Sequence, residues 1–341
     1  MITDAIARLV EGESLSQEEA AAAMADIMED RATPAQFGAF VTALRLKGET
    51  AEEIAGMAQV MRQKAVRVPT DLPVVDTCGT GGDGSGSFNV STAAALVVAA
   101  SGNPVAKHGN RGMSSRCGSA DVLEALGVNI ALGPDGVARC IERTGIGFMF
   151  AQSYHPAMRF AGPLRREIGI RTVFNILGPL TNPAGARTQV LGVASPAAQS
   201  RMADALCRLG ATRALVVHGL EGLDEISIAG PTRVYDLQGE AIDEYEVHPE
   251  LYGFVVGRAA DVRGGDATEN AATIRSILAG KRGGVGGPKR DIVLLNAGAA
   301  LVACGAATTM ADGVQLAADV LDSGAALATL DAFARTSHEL A

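Results

Sequence analysis

The densest glycine cluster in the chain is DTCGTGGDGSGSFNVST, residues 76–92, which follows an apolar run and precedes a helical pattern. Gly79, Gly81 and Gly82 carry no Cβ, so their backbone N–H groups can approach an anion closely and take positive φ. A helix starting near Ser91 would present its free N–H groups and the positive end of its dipole to the same point. Together these features form phosphate-binding architecture. No GK[ST] follows, as a Walker loop requires, and the spacing is not a clean GxGxxG with an acid about 20 residues on.

Three other segments carry groups of matching chemistry. KHGNRGMSSRCGSAD, residues 107–121, also follows an apolar run and places Lys107, His108, Asn110 and Arg111 at its end, with hydroxyls at Ser114, Ser115 and Ser119. Two cations, an amide and hydroxyls can meet several oxygens of one extended phosphorylated ligand. VVHGLEGLDEIS, residues 216–227, holds adjacent carboxylates at Asp224 and Glu225. Such a pair alone reads more often as a solvated turn, but beside two phosphate loops hard oxygen ligands for Mg²⁺ are the better reading. In YHPAMRFAGPLRREIGIRTVFNILGPLTNP, residues 154–183, Arg165 and Arg166 are adjacent, so one faces a pocket if the other faces away. A guanidinium fork there fits a substrate carboxylate and a surface salt bridge equally well. His155 reads as a helix cap or a core histidine, and residues 175–183 as a rigid turn that walls a site or only joins elements.

The elements that must position these groups change character near residue 68. Residues 1–66 read as helices, with starts at Ser16, where Glu19 three residues on makes a capping-box pattern, at Thr33-Pro34 and at Thr50. Their short apolar faces suggest docking on the rest of the chain or on a second subunit. Beyond Val68-Pro69, apolar runs at 72–77, 104–109, 146–151, 188–194 and 213–219 alternate with helical patterns at 90–102, 119–127 and 195–210. Residues 225–258 read as a β meander of EISIAG, TRVYDL and EYEVHP, and helices return at about 267–280, 291–304 and 308–335. KRGGVGGPKRD, residues 281–291, reads as a mobile loop. The expected fold is therefore α/β: a small N-terminal helical domain, residues 1–68, plus a large α/β domain, residues 69–341, with a mostly parallel central sheet covered by helices. In such sheets ligands bind outside the carboxyl ends of the strands.

Composition limits the partners. With 29 Lys+Arg against 38 Asp+Glu the net charge is -9, which opposes a nucleic-acid coat or a membrane-surface binder. Glycine, at 41 residues, exceeds the roughly 24 that an average usage of about 7% would give. Cys78, Cys117, Cys140, Cys207 and Cys304 form no CxxC pair and suit reduced thiols. No basic n-region followed by an apolar run and no membrane-spanning run is read, so the expected location is the cytoplasm.

GTGGD at 79–83, NVST at 89–92, KHGNR at 107–111, SSRCGSADVLEALG at 114–127, FNILGPLTNP at 174–183 and HGLEGLDEIS at 218–227 resemble, in order, the anthranilate phosphoribosyltransferase family of tryptophan biosynthesis. The likeness covers essentially the whole chain and implies a nucleoside phosphorylase/phosphoribosyltransferase-like fold. It also implies a segment near 157–186 that joins the helical domain to the other, and a homodimer formed through the small domains. The implied reaction couples anthranilate to 5-phosphoribosyl 1-diphosphate, with Mg²⁺ as cofactor. The implied donor site is Gly79, Gly82, Asp83, Ser87, Asn89, Val90, Ser91 and Thr92, then Lys107, His108, Gly109, Asn110, Arg111, Gly112, Met113, Ser114 and Ser115, and Ser119. Gly79, Asn110 and Arg165 would contact anthranilate, with His108, Tyr154, His155 and Pro179 along its access path, and Ser91, Asp224 and Glu225 would serve the metal. Gln152, where proline is commoner, and Cys117 depart from the family pattern without touching the expected reaction. The rival readings are a pyrimidine nucleoside phosphorylase, a non-catalytic nucleic-acid-binding relative and a Rossmann-type dehydrogenase. The paired carboxylates, the acidic charge and the imperfect fingerprint respectively weigh against them.

Overall fold

Helix starts in the first 64 residues are written in the sequence as reciprocal caps. The computed structural model describes residues 1–112, 115–280 and 286–341. Its first four helices are α1 (Ile2–Val10), α2 (Gln17–Met28), α3 (Pro34–Lys47) and α4 (Ala51–Lys64). Ser16, Thr33 and Thr50 each accept from the N–H three residues on, and Glu19, Gln36 and Glu53 return the bond. Two otherwise orphaned donors are satisfied at each helix start. Glu53 is fully buried and also accepts from Leu15 N–H and from Lys47 Nζ at 3.0 Å, so its charge is paired where water cannot reach it.

The remaining chain builds one sheet. In order come β1 (Val75–Gly79), α5 (Val90–Ala100), β2 (Val105–Gly109), α6 (Ser119–Ala125), α7 (Pro134–Thr144), β3 (Ile146–Phe150), α8 (Ala151–Tyr154), α9 (Met158–Ile168) and α10 (Phe174–Leu177). Then follow β4 (Thr188–Gly192), α11 (Pro196–Arg208), β5 (Arg213–Gly219), β6 (Thr232–Gln238), β7 (Ala241–Val247), α12 (Ala267–Leu278), α13 (Pro288–Ala303), α14 (Met310–Ser323) and α15 (Ala325–Glu339). Among the described residues the strand order is β3-β2-β1-β4-β5-β6-β7, parallel from β3 to β5 and antiparallel for the last two. After β1 the chain builds outward on one side through β2 and β3, then returns to place β4 on the other side of β1. The carboxyl ends of β1 and β4 therefore flank a topological switch point, the place where sheets of this kind bind ligands.

Across the parallel strands β1 to β5 both sheet faces are buried, which explains their unbroken apolar runs, whereas the edge strand β7 is mostly exposed. On β4 and β5, Val190, Leu215 and Val217 face one core cluster, while Leu191, Ala214 and Val216 face the other, the two-residue alternation of a strand. The first cluster includes α5 and α13; the second includes α11 together with α1 to α4. α9 packs on α2 and α3, and the chain crossings are stitched by Val66 N–H to the Tyr154 carbonyl and Val68 N–H to the Pro183 carbonyl.

Four expectations from the sequence are corrected. EISIAG is not a strand: Asn296 accepts from Ile226 N–H and donates to the Ile226 carbonyl, so a side chain replaces a strand neighbour. The meander is instead β5, β6 and β7. The expected helix at 308–335 is two helices, because Gly324 takes φ 82° and ends α14. The turn at 175–183 contains α10 and a 3₁₀ turn, Gly178–Leu180, and within the stretch read as a loop Pro288 already starts α13. Met113 and Ser114, and residues 281–285 of that stretch, lie outside the described residues.

Candidate active site

Two glycines at the switch point let the carboxylate loop cross the strand ends. Gly79 and Gly192, the last residues of β1 and β4, are paired in the sheet. A Cβ on Gly79 would run into the Asp224 carboxylate, and one on Gly192 into the Asp224 backbone carbonyl. Gly81 N–H donates to Asp224 Oδ2 at 2.7 Å, and Ser91 N–H, in the first turn of α5, donates to Glu225 Oε1 at 3.2 Å. The helix N-terminus expected to face phosphate thus meets the Glu225 carboxylate first.

Asp83 completes this acidic group. Burial, and then the nearby Asp83 charge, push Asp224 up to about 7. Burial and Asp224 likewise hold Glu225 well above the usual carboxylate range. Asp83 Oδ2 is buried without a hydrogen-bond partner, and among the described residues none of the three carboxylates forms an ion pair. Hard oxygens crowded in this way fit a divalent cation. Among the described residues no three acidic, His or Cys side chains converge into a closed metal cage. A cation here must therefore complete its shell with water and ligand oxygens, which is how Mg²⁺ is commonly held beside phosphates.

Lys107 lies beneath the switch point, 2% exposed, its Nζ donating to the Thr77 carbonyl and lying 3.4 Å from Ser91 Oγ. Burial lowers its pKa, while Asp76 and Glu225 oppose that shift. Asp76 in turn accepts from His108 N–H and Asn182 Nδ2. His108 and His155 meet through Nε2 atoms 3.2 Å apart in the interior, and burial depresses them to about 3 and about 4. His155 is therefore a core histidine, and its backbone N–H also closes α8 by donating to the Ala151 carbonyl.

The other expected residues fall into distinct settings. Asn89 Oδ1 accepts from Asn270 Nδ2, and Asn89 Nδ2 donates to the Cys117 carbonyl. Val90 is fully buried, leaving only its backbone for a ligand, and the buried Thr92 Oγ1 has no partner among the described residues. Ser87 lies beside Arg263, to which it forms an isolated bridge. Gly109 is fitted against Ser119, whose Oγ donates to the Asn110 carbonyl; Gly112 N–H donates to Asp121, and Ser115 Oγ to the Cys117 carbonyl. Arg111 pairs with Asp121 and Glu124 at the surface and lies over the Phe150 ring. Tyr154 is 1% exposed and its hydroxyl donates to the Leu132 carbonyl, so it packs the core rather than lining an access path. Pro179 is likewise buried, its carbonyl accepting from Gln189. Arg165 is half-buried over the Phe174 ring at 5.4 Å, whereas its neighbour Arg166 is exposed.

Sequence reasoning missed Asp83 as a neighbour of Asp224, Gly192 beneath the carboxylate loop, Asn270 behind Asn89, and Arg171, which donates to the carbonyls of Gly81 and Gly82. The aspartate in GGD was the one available signal; the others become visible only when the strands are ordered.

A helical bundle beside a parallel sheet, with a glycine loop and buried carboxylates at the switch point, defines a two-domain glycosyl transferase. The family described as "Glycosyl transferase family, a/b domain" matches residues 71–327, and "Glycosyl transferase family, helical bundle domain" matches residues 3–65. The chain is 58% identical over 330 residues to the anthranilate phosphoribosyltransferase of Chloroflexus aggregans, covering 96% of each. It superposes on the Thermus thermophilus anthranilate phosphoribosyltransferase with a TM-score of 0.92 at 46% identity, covering 98% of this chain and 99% of the other. The Saccharomyces cerevisiae enzyme in complex with PRPP and Mg superposes with a TM-score of 0.89 at 26% identity, covering 99% and 98%. The chain belongs to the anthranilate phosphoribosyltransferase family.

Proposed function

We propose that the switch point between β1 and β4 binds 5-phosphoribosyl 1-diphosphate and Mg²⁺, and that anthranilate approaches from the side of α9. The enzyme transfers the phosphoribosyl group to the amino nitrogen of anthranilate, giving N-(5-phosphoribosyl)anthranilate and diphosphate. The observation that carries this placement is the convergence of Gly81, Ser91, Asp224 and Glu225 at the switch point. Asp224, Glu225 and the Ser91 hydroxyl would hold Mg²⁺, with Asp83 alongside, and the ion when bound would offset the charge of the leaving diphosphate. The glycine loop from 79 to 83, with Ser87 and residues 89–92, offers backbone donors to the donor's phosphates. Lys107 beneath Ser91 and the described members of the 107–119 segment complete that side. Gly79, Asn110 and Arg165 would orient anthranilate, the arginine matching its carboxylate.

The C1–N bond forms as the C1–O bond to diphosphate breaks, and the amine proton leaves to solvent or the departing phosphate. An aromatic amine is neutral near pH 7, so attack needs no strong base. Catalysis rests on alignment of two substrates and on charge placed where diphosphate departs.

We also infer two domains near the boundary at 68 and a homodimer formed through the helical one. The support is a groove of about 450 Å³ on α1 and α3, where Val10 and Leu46 are 68% and 83% exposed. Cytoplasmic residence fits five free cysteines, and among the described residues no helix is long and apolar enough to cross a membrane. The reaction is tested by mixing protein, donor, Mg²⁺ and anthranilate and following loss of anthranilate fluorescence. Unchanged fluorescence, with thymidine phosphorolysis or DNA binding instead, overturns the reading.

A further inference from the structure

Arg171 stands outside every group described for the reaction, yet it grips the loop on which the donor site depends. It follows Gly169, whose φ of 70° ends α9, and precedes Thr172, whose N–H is held by Asn175 Oδ1 at 2.9 Å. The chain at Arg171 is therefore set by its neighbours, while its side chain is exposed. Nη1 donates to the Gly82 carbonyl at 3.0 Å and Nη2 to the Gly81 carbonyl at 3.1 Å. One planar fork thus spans two successive carbonyls, a match an ammonium on a flexible stem does not reproduce. The approach is so close that a Cβ on Gly82 would occupy the place of the guanidinium.

A consequence follows from peptide geometry. In a trans peptide the carbonyl of one residue and the N–H of the next point in opposite directions. Holding the Gly81 and Gly82 carbonyls on the Arg171 side turns the N–H groups of Gly82 and Asp83 away from it, and neither has a partner among the described residues. Gly81 and Gly82 both have positive φ, at 64° and 72°, a backbone that glycine adopts without steric cost. Gly81 N–H is meanwhile fixed on Asp224, so the loop is clamped between a carboxylate and an arginine.

We propose that Arg171 is a positioning residue for the phosphoribosyl donor: it sets the peptide orientation that aims the Gly82 and Asp83 N–H groups at the diphosphate. The proposal rests on the donor site placed above. Arg165, assigned above to anthranilate, lies on α9, and Arg171 follows in the segment just after that helix.

Arg171→Ala, Arg171→Gln and Arg171→Lys are compared with the unaltered protein by steady-state kinetics and by calorimetric titration with inorganic diphosphate in the presence of Mg²⁺. All three variants should raise the KM for the donor and the Kd for diphosphate by about tenfold or more, the loss expected for one or two charge-assisted hydrogen bonds. The anthranilate KM, the kcat at saturating donor and the melting temperature should hold. Unchanged donor KM and diphosphate Kd in the alanine variant overturn the proposal, as does full rescue by lysine, which would make charge rather than the fork decisive. If the unaltered protein binds no diphosphate, the donor site itself falls and this inference falls with it.

Discussion

Asp224 illustrates how one residue couples burial to ligand binding. Its carboxyl titrates at about 7, raised by burial first and by Asp83 second. A carboxylate with its native pKa above the unfolded value costs stability once pH passes that unfolded value, and the cost stops growing above the native pKa. Mg²⁺ binds the ionised form. Its affinity should therefore weaken as pH falls below about 7, by about tenfold per unit for each proton displaced, and level off above. Mg²⁺ titrations from about pH 5.5 to about pH 8 check this, and a flat profile refutes it. Replacing Asp224 and Glu225 together by Ala should abolish Mg-dependent turnover while the chain keeps its fold, since the pair carries strain and no ion-pair partner among the described residues. Retained turnover would remove the metal assignment. Tyr154 behaves oppositely: Tyr154→Phe strands the Leu132 carbonyl, so it should lower stability by about 1 to 2 kcal/mol in denaturant titration without altering the anthranilate KM.

At the scale of elements, the ends of β1 and β4 matter more than their interiors. Gly192 is not in the left-handed region; it is required because the Asp224 backbone passes directly over it. Gly192→Ala should therefore displace the carboxylate loop, costing about 2 kcal/mol or more, because backbone rather than a flexible side chain must move. Mg²⁺-dependent activity should fall by at least about a hundredfold, as alignment of the site is lost. Melting curves and turnover together decide it: a stable, active Gly192→Ala protein would contradict the packing. The N-terminal helices were legible because a cap is a local signal, complete within four residues. EISIAG was misread because its backbone partner is Asn296, 70 positions away from Ile226.

Across the whole molecule, a chain of net charge -9 binds a donor that is itself polyanionic. In the proposed site the resolution is local: backbone donors, buried Lys107 and a divalent cation would together offset the donor's charge inside an acidic surface. The groove on α1 and α3 is the surface proposed for assembly. Val10→Glu with Leu46→Glu should raise the monomer fraction in sedimentation, because two charges would enter an apolar contact. A dimer that survives both changes places the interface elsewhere.

What the sequence determined alone is whatever is complete over a short span: capping boxes, the two-residue alternation of buried strands, the glycine loop, and the ordered segments that marked the family. The tertiary structure decided which of these meet. Gly81 reaches Asp224 across 143 residues and Ser91 reaches Glu225 across 134, and both contacts exist only because β4 returns to lie beside β1. The same ordering brings Arg171 onto Gly81 and Gly82, pairs His108 with His155, removes Tyr154 from the expected access path and engages Arg111 with Asp121. Strand order is set by the packing of both sheet faces, a property of the whole core, so no local run of residues could announce it.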